Sequence, residues 1–176
     1  MNAGRGRGGG RAAGAALLLV LLGAGLPRPA VGEEHDGCAG RGTAIVVRTG
    51  EHLLLRCEEN RAVATVGVSL GKGGTGKRRR GDDKTPLGTY PLGAPRPSTR
   101  FHLFVPVGYP TPEQLKAGYT GSAIGIHGPS SAFAWAGSLN RLLDWTQGCI
   151  ALDSDEAIEE LAAWVKEKKP ALVHLE

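Results

Sequence analysis

Beyond residue 32 the chain has no apolar run long enough to cross a bilayer, so nothing after that point reads as a membrane span. It has no internal repeat and no regular alternation of strand with helix, which argues against a doubly wound parallel sheet. His35, His52, His102 and His174 have no companion at ligand spacing, which argues against a metal site. Cysteine is scarce, with Cys38, Cys57 and Cys149 only. An odd count leaves at least one thiol over. Cys38 and Cys57 are close enough in sequence to pair, in which case Cys149 is the free one. Low complexity is confined to a Gly- and Arg-rich leader and to residues 71–81.

The leader itself reads as a secretory signal. Arg5, Arg7 and Arg11 precede an apolar core, Ala15 to Leu22, and small residues at Ala30 and Gly32 suit cleavage after Gly32. An exported product, periplasmic or associated with the cell wall, is the expectation, with membrane contact only through the signal segment. Residues 1–32 carry four arginines and no acid, so a whole-chain charge of +4 leaves none on the rest. The basic character of the full chain is therefore no argument for nucleic acid. The 144 residues that follow suffice for one domain with a core of its own.

Residues 71–77, "GKGGTGK", spell most of a phosphate-binding loop, G-x-x-x-x-G-K-[ST]. Such a loop needs a hydroxyl after the Lys and a helix that starts at once. Arg78 occupies the hydroxyl position, and Gly81, Pro86 and Gly88 forbid the helix. No nucleotide site is expected. The stretch 71–81 reads instead as a mobile, solvated basic loop, able to meet an anionic polymer such as a bacterial wall.

The rest of the pattern is mainly β. Residues 43–48, 52–57 and 61–69 read as strands, the last by its alternation of Ala62, Ala64, Val66 and Val68 with outward positions. Short candidates follow at 88–93, 101–105 and 123–127, and 171–176 closes the chain as a strand. A short helix should start at Thr111, with Pro112 in its first turn and Gln114 three residues after the cap. One substantial helix is expected near the C-terminus. Asp153 or Ser154 caps it, Ile158, Leu161, Ala162 and Val165 form its buried stripe, and Pro170 stops it.

Two stretches carry reactive side chains among small neighbours, "AIGIHG" at 123–128 and "DWTQGCIAL" at 144–152. A Cys thiol titrates near pH ~8.5 and needs a base to become a nucleophile at neutral pH. His127 is a candidate base, and Gly128 beside it permits close approach of another chain or of a substrate. Gly148 leaves the backbone beside Cys149 open as an oxyanion donor. On residue types alone, an inert buried thiol and a hydrogen-bonded structural imidazole are the favoured reading.

Three blocks together resemble the L,D-transpeptidase catalytic domain family of the YkuD type. They are "GDDKTPLGTYPL" at 81–92, "GYPTPEQLKAGYTGSAIGIHG" at 108–128 and "WTQGCIAL" at 145–152, in the family's order, across 43–176. The resemblance implies a β-sandwich-like fold with one substantial C-terminal helix, preceded here by a signal at 1–32 and a linker at 33–42. It implies an exported cysteine acyltransferase that acts on peptidoglycan tetrapeptide stems and needs no cofactor. Cys149 would attack the carbonyl before the terminal D-Ala, form a thioacyl-enzyme and pass the acyl group to an amine, or to water in a hydrolase. His127 would be the general base, Gly148 and Cys149 the oxyanion donors, and Gly128 and Thr146 would shape the site. Many members carry Arg two positions after the Cys. Here that position is Ala151, as in a smaller "GCIA" branch. Arg141 is a candidate for the missing charge, with Trp145 and Asp144 as further substrate-binding candidates, and Trp135 as a cleft or packing aromatic. Asp82 or Asp83 is expected to bond nearby backbone in a turn. A module of this fold that binds the wall without turnover is the competing reading.

Overall fold

The computed structural model describes residues 37–130 and 143–176. The signal at 1–32, residues 33–36 of the 33–42 linker, Trp135 and Arg141 lie outside the described residues.

The first sheet has five strands in the order β3-β2-β1-β9-β4. Its centre is β1 (Ala44–Arg48), antiparallel to β2 (Leu53–Glu58) and parallel to the last strand, β9 (Leu172–Leu175). The run "AIVV" is apolar on both faces because both are covered. Ile45 and Val47 face the main core, while Val46 packs with Leu55 against Cys38 and Cys57 on the other side. Those two cysteines are joined, with Cα atoms 5.4 Å apart. Arg61–Gly67 is β3 and Gly88–Pro91 is β4.

The second sheet has four strands, β5-β6-β7-β8: Arg96–Ser98, His102–Pro106, Gly125–His127 and Ile150–Ala151. The main core lies between the sheets and α2 (Asp155–Lys168), where Val105, Ile126 and Ile150 meet Ile45, Val173, Ile158 and Leu161. The expected mainly β architecture with one substantial late helix is what the chain forms. Ser154 is the cap of that helix, its side chain accepting from Ala157 N–H at 3.1 Å. The short helix α1 (Pro112–Lys116) begins in the expected capping box of Thr111 and Gln114.

Two sequence expectations change. The alternation at 61–69 reads as one strand, but the chain leaves the first sheet at Gly67 and Ser69 pairs with Ala151 of the second sheet through two backbone bonds of 2.9 Å.

The loop 71–81 is only partly solvated, with Gly71 and Lys77 buried. Lys77 is buried, 5 % exposed, and its ammonium meets Asp82 at 2.6 Å. Asp82 also accepts the N–H groups of Arg78, Arg79 and Lys84 at 2.8, 2.9 and 3.2 Å. Gly71 lies so close to residues 83–85 that a Cβ there would sit 2.3 Å from the Asp83 carbonyl oxygen. Thr85 Oγ1 accepts from Gly71 N–H at 2.8 Å. Glycine thus serves close packing of two chain segments here, while the side chains of Lys72, Arg78, Arg79 and Arg80 are solvated.

Candidate active site

A cavity of about 600 Å³ opens between the second sheet and the 71–85 segment, with Cys149, His127, Trp145 and Thr146 on its walls. The parallel β7–β8 register pairs Ile126 with Ile150 and His127 with Ala151, so Cys149, one residue before Ile150, lies beside Gly125, two residues before His127 on the neighbouring strand. On its other side the nucleophile segment is held by residues 69–72: Thr146 N–H donates to Leu70 O at 3.1 Å and Lys72 N–H donates to Thr146 O at 2.9 Å.

His127 is 1 % exposed. The ring of Phe101 stacks on it at 3.8 Å and 19°, and Trp145 meets it edge-on at 5.9 Å. Its Nδ1 donates to the Gly128 carbonyl oxygen at 2.6 Å. A carbonyl only accepts, so the proton sits on Nδ1 and the lone pair on Nε2. Burial pushes the imidazole down to about 4, with the Gly128 carbonyl opposing and the Arg100 charge reinforcing the shift. At neutral pH His127 is an uncharged base.

Cys149 is the free cysteine among the described residues. Its Sγ is 3.5 Å from the Ala123 carbonyl oxygen. Burial pushes the thiol up, and the Gly125 N–H, Lys77 and Arg100 pull the other way. At rest the pair is thus thiol and neutral imidazole, with no ion pair formed in advance. Such a pair acts by proton transfer during attack, as a general base draws the proton from a nucleophile.

Thr146 organises the turn before the nucleophile. Its hydroxyl donates to the Cys149 carbonyl oxygen at 2.7 Å and accepts from Gly148 N–H at 3.1 Å. Gly148 N–H is therefore engaged inside the turn, which corrects the expectation that it faces an oxyanion. Gly148 has a φ of +117°, and a Cβ there would lie 2.4 Å from the Lys84 carbonyl oxygen. What the turn needs at 148 is a left-handed residue without a side chain.

Gly128 is likewise not open to a substrate: a Cβ on it would meet Ile158 of α2 at 2.9 Å. Its part in the site is the carbonyl that fixes the His127 tautomer. Asp144 does not line the cavity. Its carboxylate accepts from Leu70 N–H at 2.7 Å and lies 3.2 Å from His52 Nε2, which makes it a strut between the pre-nucleophile segment and the first sheet. Arg141, the candidate for a replacement charge, lies outside the described residues. The basic groups that do line the cavity are Lys72, Lys77, Arg80, Arg96 and Arg100. Sequence reading passed over Arg96 of β5 and Arg100 of the β5–β6 turn, and over Phe101 and Phe104. A cue was the aromatic-basic interleaving of "RFHLF" at 100–104.

Comparison with known proteins adds the following. Residues 42–173 match YkuD, the L,D-transpeptidase catalytic domain. No curated protein sequence matches the chain. Among solved structures, the helical cell shape determining protein Pgp2 from Campylobacter jejuni is 26 % identical with a TM-score of 0.63, over 76 % of this chain and 46 % of that one. Bd1075 from Bdellovibrio bacteriovorus superimposes with a TM-score of 0.57 at 22 % identity, over 76 % of this chain and 47 % of its own. The L,D-transpeptidase from Mycobacterium smegmatis superimposes at 0.51 and 14 % identity, over 76 % and 58 %, a likeness of fold alone. The chain spans about half the length of these structures.

Proposed function

Since the chain belongs to the L,D-transpeptidase catalytic domain family, YkuD, we propose that its cavity performs cysteine acyl transfer on peptidoglycan stem peptides. The observation that carries the reading is that one cavity is lined by the thiol of Cys149 and by a buried His127 whose proton is held on Nδ1 by Gly128.

The steps follow from those two groups. A tetrapeptide stem enters with the carbonyl before its terminal D-Ala against Cys149. The sulfur attacks the carbonyl carbon as His127 Nε2 takes the thiol proton. Backbone donors around the nucleophile, Cys149 N–H first, hold the oxyanion, since Gly148 N–H is engaged by Thr146. The imidazolium then gives its proton to the departing D-Ala nitrogen, the C–N bond breaks and a thioester remains. An amine of a second stem attacks that thioester while His127 again takes a proton, and the thiol is restored when the C–S bond breaks and the sulfur is reprotonated. Water in place of the amine makes the same enzyme a carboxypeptidase. Residues 1–32 act as an export signal in this reading, and the enzyme works in the periplasm or at the wall.

Intact-protein mass spectrometry of the reduced enzyme with a disaccharide tetrapeptide tests the chemistry. A Cys149 adduct with the mass of the stem less D-Ala, absent from Cys149→Ala, is expected. A folded protein with a free thiol that yields neither adduct nor released D-Ala would show a binding module instead.

A further inference from the structure

The cavity holds more positive charge than the chemistry above uses. Five basic side chains line it against one carboxylate, Asp83. Lys72 is paired with Asp83 at 3.2 Å and Lys77 with Asp82 at 2.6 Å. Arg80, Arg96 and Arg100 are exposed and have no carboxylate partner among the described residues. Uncompensated charge of one sign inside a walled cavity focuses its field on whatever enters, and favours an anion.

Two of these three arginines are held in place. The Arg100 guanidinium lies 5.0 Å from the Phe101 ring centroid, and that of Arg96 lies 4.9 Å from the Phe104 centroid. Both rings are stacked with His127, at 3.8 and 6.3 Å. Arg96 is fixed further by strand register, opposite Phe104 in the β5–β6 pair, and Phe104 is opposite His127 in β6–β7. A guanidinium laid on an aromatic ring keeps its N–H edge open for two parallel bonds to a carboxylate. The ladder from Arg96 through Phe104 to His127 therefore sets an anion reader at a fixed offset from the catalytic base.

We propose that Arg96 and Arg100 read a free carboxylate on the acyl-donor peptide, so that the enzyme selects stems with ionised carboxyl groups over the same stems amidated. This rests on the acyl chemistry proposed above. An amide brings one acceptor oxygen, and turns its own N–H donors toward the donors of the guanidinium. Discrimination comes as much from that mismatch as from lost attraction.

The test compares disaccharide tetrapeptides as free acids and with each carboxyl amidated in turn. For the carboxyl that is read, kcat/KM is expected to be about tenfold higher for the acid, equal to about 1.4 kcal/mol. In the double variant Arg96→Gln, Arg100→Gln the acid and amide substrates should converge to within about twofold. If both substrates lose rate in parallel and the ratio persists, the arginines are only structural and the proposal is overturned. Equal turnover of acid and amide by the wild type overturns it as well. If no substrate is turned over, the acyl chemistry has failed, and calorimetric binding of the same peptides to Cys149→Ala decides separately. Tighter binding of the acid, lost in the double variant, supports the reader, and equal binding refutes it.

Discussion

Replacing Asp82 by Ala should destabilise the whole domain, although Asp82 sits in a segment whose sequence reads as a solvated loop. The carboxylate receives the Lys77 ammonium at 2.6 Å and three backbone N–H groups at 2.8 to 3.2 Å. The Lys77 side chain is 4 % exposed and that of Asp82 19 %. Removing one partner of a buried pair costs about 3–5 kcal/mol, because the other charge stays in a poor solvent. Asp82 keeps some access to water, so about 3 kcal/mol is the expected loss, or about 6–12 °C in Tm for a domain of this size. Replacing both residues, Lys77→Met with Asp82→Leu, should restore the part due to the stranded charge but not the part due to the three N–H groups that lose their acceptor. Burial alone would raise the Asp82 carboxyl, but the Arg79 N–H, the Lys77 ammonium and the N–H groups of Arg78 and Lys84 overturn that and hold it well below the usual range. A depressed folded value means that this stabilisation is full above the unfolded pKa of ~3.9 and is lost as pH falls further. Urea melts at pH 7 and at pH 3 measure both effects. A loss under about 1 kcal/mol at pH 7 for Asp82→Ala would refute the buried-pair reasoning and return the segment to a solvated loop.

Further consequences concern the site. With His127 held down to about 4, the base is present above that pH, so the acid limb of kcat/KM should fall near pH 4 and not near the ordinary histidine value. Raised by burial, Cys149 should react slowly with iodoacetamide at pH 7 and faster as pH rises past ~8.5, and a fast reaction at pH 6 would mean a preformed thiolate. Thr146→Val keeps the shape but removes both bonds of the hydroxyl, and should cost about 1–3 kcal/mol of stability in denaturant melts, with a larger fall in kcat than in KM affinity. Gly148→Ala puts a methyl group against the Lys84 carbonyl at a φ of +117°, and should yield little folded protein on expression.

The parts of the fold that could be read in advance are those whose signal is local. The run "AIVV" marks a strand covered on both faces, and Ser154, Thr111 with Gln114, and Pro170 mark helix ends through contacts made within a few residues. What could not be read depends on distant partners. The β5 strand is three residues long and contains Pro97, so it carries no periodic signal and exists only because β6 pairs with it. Lys77 reads as a solvated cation until Asp82 folds back on it. Asp144 reads as a ligand because it is acidic and near the nucleophile, whereas its oxygens are taken by Leu70 and His52. Cys149 and His127 stood out through their small neighbours, yet those glycines serve packing and turn geometry more than access.

The cavity is lined by basic side chains although position 151 carries Ala. Ala151 is 2 % exposed, set between His127 of β7 and the bonded Ser69 of the incoming first-sheet segment. A guanidinium there would need room that these neighbours occupy, and would carry its charge into the core at a cost that only full pairing offsets. The positive charge enters instead from the periphery, through Arg96 and Arg100 on the rings beside His127. Cations at the rim keep their hydration until a ligand displaces it, so the resting protein bears no desolvation cost for them. They also act on the centre at a distance: Lys77 and Arg100 both favour the Cys149 thiolate, and Arg100 disfavours the imidazolium. An anionic substrate bound between Arg96 and Arg100 would cancel part of that field. The imidazolium would then form more readily and the thiolate less readily, so the bound anion raises the basicity of His127 and of Cys149 together.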